Sequence, residues 1–195
     1  MTTSHTADYD VIAVGAGFAG ISLSYHLREA GLNTKIFDRA DDIGGTWTWN
    51  RYPGAATDSE SYYYCLTFSK EVLQEWSWTK RYSGWEETQA YLKFVMDKFS
   101  LWPSFQLSTE VESAEFDNET GLWNVHTGDG KTHTAKYFIS AMGMISQPVI
   151  PNIAGMDSFN GPLFHSSRWP EGLDVAGKRI GIIGAGATTV QMLPE

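Results

Sequence analysis

The string Gly15-Ala16-Gly17-Phe18-Ala19-Gly20 separates a short apolar run from an amphipathic one, and that order leaves few folds open. Tyr9–Val14 (YDVIAV) is rich in Val and Ile and suits a buried parallel strand. Past the glycines, Ile21, Leu23, Leu27 and Ala30 are apolar while Arg28 and Glu29 are polar, which reads as a helix that Gly31 stops. Residues 33–37 (NTKIF) read as a second strand, with Asp38 at its end. Strand, turn, helix and strand in this order predict a Rossmann-type dinucleotide-binding domain in an α/β fold. Gly15 permits the tight turn, Gly17 lets the backbone approach a pyrophosphate, and Gly20 lets helix pack on strand. The helix start at Phe18 and Ala19 offers unpaired N–H groups to phosphates. Asp38 lies about 18 residues past Gly20, close to the ~20 expected of an acid that holds ribose hydroxyls. An acid there suits FAD or NAD and repels a 2′-phosphate.

Residues 43–58 (IGGTWTWNRYPGAATD) form the next distinctive stretch. Gly44 and Gly45 let a loop backbone lie against a cofactor's pyrophosphate or ribityl chain. Trp47, Trp49 and Tyr52 are too closely spaced, and too interrupted by Pro53 and Gly54, for a regular core element. The chain holds 8 Trp, 9 Tyr and 10 Phe. Aromatics usually mean core, but those in the Gly- and Pro-rich loops are expected to wall a ring-shaped cofactor. Asp58-Ser59-Glu60-Ser61 could also open a helical turn with Asp58 as its N-cap.

Residues 85–99 carry Ala90, Tyr91, Phe94, Val95 and Phe99 at helical spacing and predict a packing helix. Residues 105–116, 122–127 and 132–141 are β-rich and separated by turns, which predicts an inserted three-stranded antiparallel meander. His126 and His133 lie on exposed strands of it and are expected to be solvated. Pro148 and Pro151 mark a linker. Residues 178–183 (KRIGII) read as a strand before a second glycine-rich turn, Gly184-Ala185-Gly186-Ala187-Thr188-Thr189. Thr189 stands at the third glycine position, where a branched Cβ would crowd helix against strand.

Between the two turns, residues 159–170 read FNGPLFHSSRWP. Phe159, Gly161, His165, Trp169 and Pro170 fall at the spacing F-x-G-x-x-x-H-x-x-x-W-P. This stretch resembles the fingerprint of the Baeyer–Villiger monooxygenases, and residues 44–58 are similar to a second string of that family. The resemblance implies an FAD-binding domain over 9–145 after a flexible N-terminus (1–8). It further implies a hinge-like linker over 146–177 and the start of a second Rossmann domain, for NADP, over 178–195. It implies FAD contacts at Gly15, Gly17, Phe18, Ala19, Gly20, Asp38, Gly45, Thr46, Trp47, Trp49, Asp58, Tyr64 and Val111. NADP contacts are implied at Ala56, Thr57, Gly184, Gly186, Ala187, Thr188, Thr189 and Gln191. A second, weaker flavoprotein signature is similar to Ala141-Met142-Gly143. Asp58 resembles the family's active-site acid, which orients an arginine that this chain does not contain.

The implied chemistry is an NADPH-dependent oxygenation. NADPH reduces FAD, the reduced flavin captures O2 as a C4a-peroxide, and a ketone becomes an ester or lactone. The family's members are longer, so the chain is expected to be the N-terminal portion, inactive alone, with the remainder of the same enzyme as its partner. Two alternatives stay open: an N- or S-oxygenating flavin monooxygenase, and a non-catalytic FAD-binding fragment. A net charge of −9, from 23 acidic and 14 basic residues, argues against a nucleic-acid surface. One cysteine, Cys65, excludes an intramolecular disulfide and a redox-active pair, and it is read as a small side chain rather than a nucleophile. No apolar stretch approaches the ~18 residues of a membrane span, no signal peptide is visible, no metal site is read, and a reducing cytoplasm is expected.

Overall fold

A computed structural model describes residues 6–195. The flexible segment expected over 1–8 falls largely on residues 1–5, outside the described residues. Asp8, within it, is tied down: its carboxylate accepts from the Thr134 backbone N–H at 2.8 Å and from the Thr134 hydroxyl at 2.9 Å. The Thr134 backbone N–H is the larger of the causes that hold the Asp8 carboxyl below its ordinary range.

Six strands form one sheet: β1 Tyr9–Val14, β2 Thr34–Phe37, β3 Phe105–Gln106, β4 Val111–Asp117, β5 Leu122–Thr127 and β6 Thr132–Ser140. Their order is β3-β2-β1-β6-β5-β4. β1 runs parallel to both β2 and β6, with Val14 beside Phe37 on one side and beside Ser140 on the other. Val11, Ile12 and Ala13 are all buried, as a strand covered on both faces requires.

The meander differs from its expected outline. Residues 105–116 do not make one strand: Phe105–Gln106 pairs parallel with β2, and the chain then turns through Ser108 at φ 51° before β4 begins. A non-glycine residue in that left-handed region does not continue a strand. β4, β5 and β6 are antiparallel as expected, and β6 also pairs with β1, so the meander and the parallel strands share one sheet. His133 is half-buried rather than solvated, with its ring centre 5.0 Å from that of Phe37. Its buried Nε2 finds no partner among the described residues.

The helices are α1 Phe18–Glu29, α2 Thr46–Trp49, α3 Lys70–Glu75, α4 Trp85–Lys98 and α5 Ala187–Met192. Gly31, at φ 73°, sits just past the end of α1 and donates to Arg28 O, the expected C′ stop. α4 buries Tyr91, Leu92, Val95 and Met96 against Ile21, Ile43 and Leu101. Each side chain so buried stabilises the fold by about 1.5–3 kcal/mol. Glu86 and Glu87 stand in the first turn of α4 and Lys98 in its last, which complements the helix dipole.

No strand forms at residues 178–183. None of the six strands pairs there, and Ile180 and Ile183 are 56% and 66% exposed. An apolar run becomes a strand only when neighbours take its N–H and C=O groups and cover its side chains. Among the described residues no helix is long and apolar enough to cross a membrane.

Candidate functional site

A cavity of about 380 Å³ opens where β1 passes into α1. Gly15 and Gly17 form its floor, and Phe18 and Ala19 bring the first turn of α1 to it. No side chain caps that helix start, so its N–H groups face the cavity as free donors. Gly20 does not line the cavity. A Cβ there would sit 1.9 Å from Gly15 O, so Gly20 is what lets α1 close onto the turn.

Asp38 stands at the end of β2, as its position predicts, and lines the cavity. Its carboxylate accepts from the Ala16 N–H at 2.6 Å and from the Ala40 N–H at 2.8 Å. The acid thus fixes the glycine turn while presenting charge to the space beside it.

Gly45, Thr46, Trp47 and Trp49 make the opposite wall. These aromatics belong to a regular element after all: Thr46–Trp49 is one turn of helix, with Trp47 6% exposed, and Tyr52 beyond it is buried too. α4 holds this turn in place. The Gln89 amide donates to Ile43 O at 2.8 Å and to Thr48 Oγ1 at 3.3 Å, and Lys93 pairs with Asp42 at 2.5 Å. Gly45 and Gly17 lie backbone to backbone, since a Cβ on Gly45 would meet Gly17 Cα at 3.0 Å.

Tyr64 reaches the cavity from the loop before α3 and accepts from Trp47 Nε1 at 3.3 Å. Burial pushes its phenol up in pKa. Burial likewise raises the neighbouring Cys65 thiol, whose Sγ donates to Tyr62 O, so nothing activates it as a nucleophile. Val111 lines the far end from β4. Other aromatics belong to the core: Trp76 and Trp78 pack around Tyr91, and Tyr91 Oη accepts the buried Leu66 N–H at 2.7 Å.

Several wall residues were not anticipated as site residues. Arg39 and Glu110 line the cavity beside Asp38 and Val111, and Ser167 and Arg168 enter it from the 159–170 segment. The Arg168 guanidinium lies 4.4 Å from the Trp49 ring centre and that of Arg39 lies 5.5 Å from it. The signal for Arg39 was adjacency to Asp38. For Arg168 it was a position inside the fingerprint that the spacing pattern leaves free.

The fingerprint itself is a loop holding a 3-10 turn, Ser166–Arg168. His165 Nδ1 accepts the Ser167 N–H at 3.1 Å and so caps that turn. Phe164 and Trp169 meet edge to face at 5.2 Å. Phe159 is exposed and folds over Gly161, and Pro170 is exposed.

Asp58 is not in the cavity wall and caps no helix, because no helix begins at residues 58–61. Its Oδ1 accepts from the Gln191 amide at 2.8 Å, and the same amide donates to Ala56 O at 2.9 Å. Thr57 is buried beside them. Gly186 precedes α5 as its N-cap, and Ala187, Thr188 and Thr189 form its first turn. Thr189 crowds no strand there. Its hydroxyl donates back to Gly184 O at 3.1 Å.

Residues 9–195 match the family described as flavin-binding monooxygenase-like. A Baeyer–Villiger monooxygenase of Pseudooceanicola batsensis is 45% identical over 188 residues, covering 96% of this chain and 34% of the relative. A phenazine N-monooxygenase of Lysobacter antibioticus is 42% identical, covering 99% and 36%. The crystal structure of cyclohexanone monooxygenase from Rhodococcus sp. Phi1 bound to NADP+ superimposes with a TM-score of 0.91 at 42% identity, covering 95% of this chain and 35% of that one. The chain therefore spans about a third of the length of the relatives it matches.

Proposed function

We propose a function from one premise: the chain belongs to the flavin-binding monooxygenase-like family. The carrying observation is the cavity at the first glycine turn, where the expected FAD contacts converge apart from Gly20 and Asp58. The donor set fits a dinucleotide. Uncapped N–H groups at the α1 start suit a diphosphate, the backbone cradle of Gly17 and Gly45 admits close approach, and Asp38 suits ribose hydroxyls. Trp47, Trp49 and Tyr64 supply flat apolar walls. Val111 bounds the adenine end, and Gly20 supports the turn from behind.

On this reading the protein is an FAD- and NADPH-dependent Baeyer–Villiger monooxygenase, with residues 9–145 as FAD domain, 146–177 as linker and 178–195 as the start of the NADP domain. The pair FAD and NADPH supplies the reducing power and the activated O2 that convert a ketone into an ester or lactone. The protein's own part is to orient the cofactor, exclude water around its ring and hold Asp58 as a fixed charge toward an arginine. Ala56, Thr57 and the 184–191 segment are assigned to the NADP side. The resemblance to a structure bound to NADP+ supports that assignment. A cytoplasmic setting belongs to the same reading.

Titration of the purified chain with FAD and with FMN tests it. Bound flavin absorbance at one FAD per chain, with FMN weaker because it lacks the adenosine that Asp38 would hold, is the expected result. No bound flavin at saturating FAD contradicts it. A second reading, N-oxygenation, is favoured by the similarity to the phenazine N-monooxygenase. Turnover of cyclohexanone against phenazine by the full-length enzyme separates the two.

A further inference from the structure

The Gln191 side chain makes three hydrogen bonds to the flavin-side loop and none of them is to its own helix. Tyr52 Oη donates to Gln191 Oε1 at 2.7 Å, and Gln191 Nε2 donates to Ala56 O at 2.9 Å and Asp58 Oδ1 at 2.8 Å. This pattern suits an amide and little else. A carboxylate could accept from Tyr52 but not donate to Asp58, and an ammonium could donate but not accept. Tyr52 is 7% exposed, so its phenol needs this acceptor. Backbones also meet here: a Cβ on Gly54, which has φ 75°, would lie 2.3 Å from Gln191 O. Any other residue at position 54 would push α5 away from the loop.

We propose that Gln191 is a positioning residue for Asp58, tying the helix that follows the second glycine turn to the loop that follows the Trp47–Trp49 wall. The juxtaposition makes two segments far apart in sequence, the loop of residues 52–58 and α5, share one hydrogen-bonded amide. Displacement of α5 therefore moves the Asp58 carboxylate, and the charge state of residue 58 feeds back on α5. The proposal rests on the flavin reading for its significance, since Asp58 is the acid assigned to the flavin side. Its geometry stands independently of whether flavin binds. Both Gln191 Nε2 hydrogens are engaged by the protein's own loop, so an NADP contact at Gln191 would fall to the remaining lone pair of Oε1 or to its backbone.

Hydrogen exchange on the purified chain tests this, read at the Ala55 and Thr57 amides and at Val190 in α5, with the amides of β1 and β6 as internal reference. Gln191→Met keeps the length and removes all three hydrogen bonds. It should speed exchange at these sites about tenfold, the equivalent of one or two net hydrogen bonds, and leave the reference amides unchanged. Gln191→Glu should be faster still at neutral pH, because two carboxylates then face each other. The exchanged pair, Asp58→Asn with Gln191→Glu, restores a donor opposite an acceptor. It should return the rates to within about threefold of the parent chain, Ala56 O being left without its donor. Unchanged exchange in Gln191→Met, or no recovery in the exchanged pair, overturns the proposal. A parallel FAD titration keeps the two questions apart: loss of flavin binding in the parent chain sinks the flavin reading and leaves the Gln191 result to stand or fall on exchange.

Discussion

At the first turn Gly15 and Gly20 meet backbone to backbone, whereas at the second the matching positions, Gly184 and Thr189, meet through a hydroxyl. The strand before the first turn lies at the centre of a six-stranded sheet, and the run before the second has no sheet neighbour. α1 carries 12 residues, α5 carries 6. Two similar glycine-rich strings thus border a cavity in one place and open a short helix with no sheet beneath it in the other. A glycine-rich turn sets the path of the chain, but the sheet beneath it and the helix behind it make it a site.

The largest expected break in this contrast is Gly20→Val. The added side chain meets Gly15 O head on, and on the order of 3 kcal/mol of stability should be lost, with flavin binding lost along with it. Urea unfolding and flavin absorbance read both. Next comes Tyr91→Phe, which leaves the buried Leu66 N–H without its acceptor and should cost about 1–3 kcal/mol in the same unfolding assay. It loosens the loop that carries Tyr64 while touching nothing in the second region.

Arg168→Ala probes the bridge between the regions. If the guanidinium over Trp49 helps close the cavity, FAD affinity should fall about two- to fivefold, the worth of an exposed cation–π contact. An unchanged affinity would detach the fingerprint from the cofactor site. The smallest effect is expected for Thr189→Val, the counterpart of Gly20→Val. It removes one partly exposed hydroxyl hydrogen bond and should shift stability by about 0.5 kcal/mol or less. A loss as large as that of Gly20→Val would erase the distinction between the turns.

The first βαβ unit was legible because its signals are local: a short apolar run, glycine spacing, a C′ glycine at Gly31 and an acid at the strand end. The packing helix over α4 was legible for the same reason. Two-residue β3 was not, since its pairing with β2 is decided by a left-handed turn at Ser108 that no residue preference announces. The run at 178–183 was misread in the opposite sense. Its Ile spacing satisfies strand propensity, yet propensity without a neighbouring strand forms nothing. In the site, Gly15 to Asp38 could be named from spacing alone. Glu110 and Arg168 could not, because only the fold brings residues so far apart in sequence to one cavity, and Arg39 had only its adjacency to Asp38 to mark it. The fingerprint was expected to be a hinge; the structure shows it supplying part of the cavity wall through Ser167 and Arg168. Gln191 shows the same limit: its partners Tyr52 and Asp58 lie at sequence separations of 139 and 133.

Hydrogen exchange with and without FAD tests most directly the claim that the first turn is the flavin site and the second is not. Added FAD should slow exchange at residues 15–20 and 44–49 and leave residues 184–189 as they were. Slowing at 184–189, or at neither turn, would contradict it.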